Sequence, residues 1–216
     1  DDAPMALYNS GNNGLGYNLA IVDDVNGDGV LDFLASEHGN SSMGVPDEGV
    51  VYLFSGALTG DTVETMGEFR NGLSNYLGYA MTKGADFTND GLLDVAVGAY
   101  DMQSVYIIQP GEDLYGNGTP IEIAEPIFVD SEYFGRSVAA LSDINGDGIA
   151  DLGIGDHRAD IPNTLVPPHD TGEGAGALHV YHGPVSDFPE PDVSIYGSRR
   201  YLQLTNGGAI DAGDHN

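Results

Sequence analysis

Asp143-Ile144-Asn145-Gly146-Asp147-Gly148-Ile149-Ala150-Asp151 decides how this chain reads, because the same nine-residue pattern stands at two earlier places. Asp24-Val25-Asn26-Gly27-Asp28-Gly29-Val30-Leu31-Asp32 is the first copy and Asp86-Phe87-Thr88-Asn89-Asp90-Gly91-Leu92-Leu93-Asp94 the second. Eight residues before each stands a glycine that follows a leucine or phenylalanine: Leu15-Gly16, Leu77-Gly78 and Phe134-Gly135. The spacing from glycine to glycine is 62 and then 57 residues. A period of that size marks a repeat architecture, so the repeat and not the residue-by-residue propensity governs the fold.

Outward from each acidic stretch the pattern is that of four short strands. Tyr17 to Val22, Tyr79 to Lys83 and Arg136 to Leu141 precede it. Phe33 to Ala35, Val95 to Gly98 and Leu152 to Gly155 follow it. A third run is rich in Val and Tyr: Val50 to Phe54, Ser104 to Ile108 and Ala177 to Tyr181. A fourth lies at Val63 to Phe69, Ile121 to Val129 and Val193 to Tyr196. β-branched and aromatic residues in short runs, punctuated by Gly, Pro, Asn and Asp, specify strands, and no helical period competes with them. Four antiparallel strands per unit of this length predict an all-β chain of β-propeller blades. The units fall at about 15–71, 77–129 and 134–197. Ala6-Leu7-Tyr8, within 1–14, reads as the outer strand of a preceding blade, and 198–216 as the start of a further one. Three full blades and two partial ones do not close a ring, which predicts either a piece of a larger propeller or a protomer completed by another chain.

Within each hairpin, positions 1, 3, 5 and 9 carry oxygen: Asp24, Asn26, Asp28, Asp32; Asp86, Thr88, Asp90, Asp94; Asp143, Asn145, Asp147, Asp151. The position-7 carbonyl belongs to Val30, Leu92 or Ile149, and glycine at position 6 allows the turn that aims these groups inward. Three carboxylates, an amide or hydroxyl and a carbonyl make most of the shell of a hard cation such as Ca2+, which takes six to eight oxygens in tolerant geometry. Mg2+ demands a stricter octahedron, and the His or thiolate ligands of softer metals are missing from the set. About three Ca2+ sites are therefore expected, with Asp214 and Asn216 opening a fourth, incomplete loop. Position 12 holds Ala35, Val97 and Ile154 where an EF-hand needs Glu, so that motif is excluded. The bland alternative is a set of solvated Asx turns that bind nothing.

Leu/Phe-Gly, then Asp-x-Asn-Gly-Asp-Gly-x-x-Asp, then an apolar strand ending near Gly98-Ala99, resembles the FG-GAP repeat of integrin α-subunit propellers and their bacterial relatives. The resemblance implies a seven-bladed propeller with Ca2+ in the hairpin between the first two strands of a blade, held by the residues just named. The chain departs from the pattern at Ala35-Ser36 and Gly155-Asp156, where Gly-Ala is usual, and at Tyr100, where proline is.

Composition narrows the function further. Six basic residues face 34 acidic ones, for a net charge of -28, and Asp outnumbers Glu 24 to 10. Such a surface repels nucleic-acid phosphates and anionic membranes. The chain has no cysteine, and no apolar run reaches the roughly 20 residues of a membrane helix. Nucleophile-elbow, P-loop and zinc-protease motifs are absent too. His157, Asp160, His169 and Asp170, in the excursion from Asp156 to Gly176, are candidates for a second metal or catalytic site. His38 and Tyr100 hold the same repeat position as His157, however, and a recurring ring there fits packing between blades better. The reading is an extracellular or cell-surface calcium-binding propeller that recognises a protein or glycan surface and is not an enzyme. Its alternatives are a structural protein that self-assembles through exposed strand edges, and an enzyme or its accessory domain.

Overall fold

The computed structural model describes residues 14–41, 43–59, 62–73, 75–114, 118–126, 133–160, 174–186 and 189–197. The opening strand at Ala6 to Tyr8, the fourth loop at Asp214 and Asn216, and His169 and Asp170 lie outside them.

Among the described residues, twelve strands form three four-stranded antiparallel sheets, each wound in chain order. The first contains β1 (Leu19–Ile21), β2 (Phe33–Ser36), β3 (Val51–Thr59) and β4 (Thr62–Phe69). The second contains β5 (Ala80–Met81), β6 (Val95–Ala99), β7 (Ser104–Ile108) and β8 (Ile121–Ala124). The third contains β9 (Phe134–Ala140), β10 (Leu152–Asp156), β11 (Ala177–Tyr181) and β12 (Val193–Tyr196). This is the all-β, propeller-blade architecture that the repeat predicts. Helical turns are confined to a 3₁₀ turn at Tyr100–Met102 and one wider turn at Pro110–Leu114 among the described residues.

β1 and β5 are shorter than their sequences suggest, and side chains explain why. The Thr82 hydroxyl accepts the Ala96 N–H (3.0 Å), and the Ser36 hydroxyl accepts the Asn18 N–H (3.1 Å). Each of these bonds replaces a rung of the ladder that a backbone carbonyl would supply. β8 ends at Ala124, short of the expected Val129, and residues 127–132 lie outside the described set.

Alternation along the strands sends side chains to both faces, so each sheet is apolar on two sides. Leu34, Val51 and Leu53 of the first sheet meet Val95, Val97, Tyr106 and Ile108 of the second in one buried cluster. Ala96, Val105, Ile107 and Ile123 on the second sheet's other face meet Phe134, Val138, Leu152, Ile154 and Tyr181 of the third. Burial of this kind stabilises by about 25 cal/mol per Å² and is the main force joining neighbouring blades.

Glycines set how closely the sheets approach. Gly78 and Gly135, the glycines of the Leu/Phe-Gly pairs, have φ of +86° and +80°. A Cβ on Gly78 would lie 2.6 Å from Ser36 Cβ of the preceding sheet, and one on Gly135 would lie 2.8 Å from the Ser104 carbonyl oxygen. Gly98 packs just as tightly, with its Cα face against the Gly135 carbonyl. Each seam thus has no room for a side chain on its glycine.

Candidate functional site

Each acidic hairpin joins the first strand of a sheet to the second, so all three lie at the same end of their sheets. In the first, the N–H groups of Gly27 and Asp28 donate to Asp24 Oδ1 (2.7 and 3.0 Å) and that of Gly29 donates to Oδ2 (2.7 Å). Asn26 Oδ1 accepts the Asp28 N–H (2.9 Å) and Asp28 Oδ1 the Val30 N–H (2.8 Å). The third hairpin repeats this frame: Gly146, Asp147 and Gly148 donate to Asp143, Asp147 donates to Asn145, and Ile149 donates to Asp147. These bonds favour the ionised carboxylates. Asp143 is held below the usual range chiefly by the Gly148 N–H, and Asp28 chiefly by the Val30 N–H.

The second hairpin keeps only part of the frame. Asp86 accepts from Asp90 (3.2 Å) and Gly91 (3.0 Å), and Asp90 accepts from Leu92 (2.8 Å). Thr88 turns away from the others, and its hydroxyl and N–H both donate to Asp94 Oδ2 (3.1 and 3.0 Å).

The position-9 aspartates do something the sequence did not suggest. Asp32, Asp94 and Asp151 are fully buried. Asp32 accepts the N–H of Val25 (2.8 Å) and, across the sheet, that of Gly56 (2.9 Å). Asp151 accepts those of Ile144 (2.8 Å) and Gly183 (3.0 Å). The residue two beyond the strand partner is Gly56 in the first sheet and Gly183 in the third, but Pro110 in the second. Proline has no N–H to give. Asp94 Oδ1 is accordingly buried with no hydrogen-bond partner, and burial pushes the Asp94 carboxyl up to about 7.

Other residues join the hairpins from outside the motif. Ser55 donates to Asp28 Oδ2 (3.3 Å), and its repeat counterpart Gln109 donates to Asp90 Oδ2 (2.8 Å). Asp23 Oδ2 accepts the Leu93 N–H (2.7 Å), tying the first hairpin to the second. Asp23 has Ala85 and Ser142 as counterparts, so the repeat carried no sign of it.

Among the described residues, no three Asp, Glu or His side chains converge at metal-holding spacing. Their carboxylates are spread over the loop N–H groups instead. Asp24 Oδ1 and Asp143 Oδ1 each take two such bonds, but their Oδ2 atoms and the side-chain oxygens of Asn26, Asp28, Asn145 and Asp147 keep a lone pair, so the donor set still suits a hard cation. The hairpin frames and the buried, unpartnered Asp94 Oδ1 fit such an ion.

At the other end of the strands, rings from all three sheets form a row. Tyr17 lies 4.1 Å from His38 and 5.5 Å from Tyr79, Tyr79 lies 4.8 Å from Tyr100, and Tyr133 lies 4.4 Å from His157. His38 packs across to Tyr76 and Tyr79 beside the second sheet and Tyr100 to Tyr133 beside the third, as their shared repeat position predicts, whereas His157 meets Tyr133 and Arg136 beside its own sheet. His157 does not join a cluster with Asp160, which accepts the Gly174 N–H (2.7 Å). Burial, reinforced by Arg136 and Arg158, brings His157 down to about 4.

His179 is buried between the second and third sheets, with Nδ1 2.8 Å from Ser194 Oγ and Nε2 without a partner. Burial lowers it to about 4, below the ordinary value near 6.5. Its contribution to stability is therefore complete above about pH 6.5 and is lost as pH falls toward 4, by up to roughly 3 kcal/mol. Asp94 acts in the opposite sense: its contribution is present in acid and lost as pH rises through about 7. The two effects overlap, so the His179 contribution shows as a difference between proteins. The melting-temperature gap between the natural chain and His179→Gln should shrink from pH 6.5 to pH 4, and a constant gap would contradict this.

Residues 86–154 match the family described as FG-GAP-like repeat. The chain is similar to integrin alpha-PS2 of Drosophila melanogaster, at 27% identity over 136 residues, which cover 57% of this chain and 9% of that protein. Integrin alpha-PS3 of the same organism is 29% identical over 159 residues, covering 67% and 14%. Human integrin alpha-X is 35% identical over 86 residues, covering 38% and 7%. The chain thus matches at most 14% of the length of these relatives. No helix among the described residues is long and apolar enough to cross a membrane.

Proposed function

Because this chain is an FG-GAP-like repeat protein of the integrin alpha-like kind, we propose that it is an extracellular, calcium-binding recognition or adhesion module and not an enzyme. The observation that carries the calcium reading is the matching frame of N–H bonds around Asp24, Asn26 and Asp28 and around Asp143, Asn145 and Asp147. The second carboxylate oxygens of Asp24 and Asp143, the Asn26 and Asn145 amide oxygens and the Asp28 and Asp147 carboxylates are not saturated by these bonds and keep lone pairs for an ion. Asp24, Asn26, Asp28, Asp32 and the Val30 carbonyl would hold the first ion. Asp143, Asn145, Asp147, Asp151 and the Ile149 carbonyl would hold the third. Asp86, Asp90, Asp94 and the Leu92 carbonyl form the second set, where Thr88 is the weak member. When bound, Ca2+ supplies positive charge that offsets repulsion among the clustered carboxylates. Extracellular modules of this kind bind at roughly 10⁻⁴ to 10⁻³ M, a range occupied outside cells.

Calorimetric titration of Ca2+ into chelator-treated protein tests the reading. About three ions should bind, and Asp28→Ala and Asp147→Ala should each remove one while the far-UV circular dichroism of the sheets is kept. Both carboxylates are exposed, so their loss leaves the fold standing. Saturable binding with unchanged stoichiometry in both variants would reassign the ions elsewhere, and absence of binding would defeat the calcium reading.

A further inference from the structure

The row of rings at the end opposite the acidic hairpins also carries positive charge. Arg136, on β9, places its guanidinium 5.6 Å from the Tyr79 ring, 5.6 Å from Tyr100 and 5.4 Å from Tyr133. Arg158 lies 4.9 Å from the same Tyr133 ring and donates to its hydroxyl (3.3 Å). Two cations therefore share one aromatic ring.

Neither has an acidic partner among the described residues. No carboxylate among the described residues lies within 4.0 Å of Arg136 or Arg158. In a chain with 34 acidic side chains and six basic ones, that is not the default outcome. Arg70 shows the default, with Glu48 at 3.4 Å and Glu68 at 3.0 Å. Arg136 instead faces His157, its Nη1 lying 3.3 Å from Nε2. A neutral imidazole offers a lone pair there and no charge. A guanidinium has five N–H donors, and ring faces satisfy its charge only weakly, so both arginines keep donors for an acceptor from elsewhere.

We propose that Arg136 and Arg158, braced by Tyr79, Tyr100, Tyr133 and His157, form a receptor for a single carboxylate on a peptide segment of a partner protein. The inference rests on the recognition reading above and is independent of calcium. A guanidinium fork pairs with a carboxylate through two parallel N–H bonds, the strongest ordinary match for these donors. The net charge of -28 disfavours a polyanion, whereas one carboxylate on an otherwise uncharged segment meets a repulsion that salt screens within about 8 Å. Arg136 already lies over Tyr79, Tyr100 and Tyr133, leaving those faces poorly placed to stack on a sugar ring.

The test is a titration at 0.15 M NaCl, about physiological ionic strength, followed by the arginine Nε–H resonances in NMR spectra. The probes are acetyl-Ala-Asp-Ala-amide, its Asn counterpart and free glucuronate. The Asp peptide should shift the Arg136 and Arg158 signals saturably, and the Asn peptide should bind at least about tenfold more weakly, as the loss of a charge-assisted pair implies. Arg158→Gln, at an exposed position, should weaken the Asp peptide by a similar factor without lowering the melting temperature. Equal binding of both peptides, an unaffected Arg158→Gln variant, or no saturable shift would overturn the proposal. Tighter binding of glucuronate than of the Asp peptide would also overturn it, in favour of a sugar site. Loss of peptide binding with the three-ion stoichiometry intact would fault this surface alone.

Discussion

Removing calcium should lower the melting temperature by roughly 8 to 16 °C. Each site with a dissociation constant near 10⁻⁴ M contributes about 1.4 kcal/mol at about 1 mM free Ca2+, because the ion binds the folded hairpin and not the open chain. Three such sites contribute about 4 kcal/mol, and 1 kcal/mol shifts the midpoint of a chain this size by about 2 to 4 °C. Differential scanning calorimetry in 1 mM Ca2+ and then in EDTA, with elemental analysis to verify removal, reads the effect directly. An unchanged curve would mean that the hairpins are Asx turns whose own N–H bonds suffice.

The second large effect separates the buried aspartates from one another, and it is measured without metal. Asp151→Asn should destabilise by about 2 to 4 kcal/mol, because both carboxylate oxygens accept buried N–H groups, from Ile144 and Gly183. An amide nitrogen would have to face one of those donors. Asp94→Asn should change stability by no more than about 1 kcal/mol under the same conditions. Asp94 Oδ2 takes the bonds from Phe87 and Thr88, and Oδ1 has none. The new carbonyl can keep those bonds while the amide nitrogen occupies the vacant side, and the cost of burying a charge disappears. Urea denaturation at pH 8 in EDTA compares the two. Equal losses, or a larger loss at Asp94, would refute the role assigned to Pro110.

The contrast at Pro110 also shows where the sequence could be read and where it could not. The hairpins, the four strands of each unit and the seam glycines stand in the chain as a periodic pattern, and local chemistry is enough to interpret them. Ser55, Gln109 and Pro110 are different. Each acts on a hairpin 14 or more residues earlier in the chain, through a contact that exists only once strands one to three are paired. Pro110 could be seen as a proline, but not as a donor missing opposite Asp94. The inward turn of the position-9 aspartates was hidden for a related reason, since a carboxylate that ligates and one that staples backbone have the same spacing. Arg136 sat in plain sight at the third residue of its strand, with Tyr17 and Tyr79 as counterparts. Its place over three rings depends on two sheets at once.

The glycine seams have a consequence for how such a chain tolerates change. Gly98 rests on the Gly135 carbonyl and Gly135 on the Ser104 carbonyl, while Gly78 rests on the small Ser36 side chain, so the tilt from one sheet to the next is fixed by bare glycine backbone at each seam. Interior faces can exchange one aliphatic group for another and the pitch holds. A methyl group at one seam would fan two sheets apart, and that angular error would be passed undiminished to every sheet wound on afterwards.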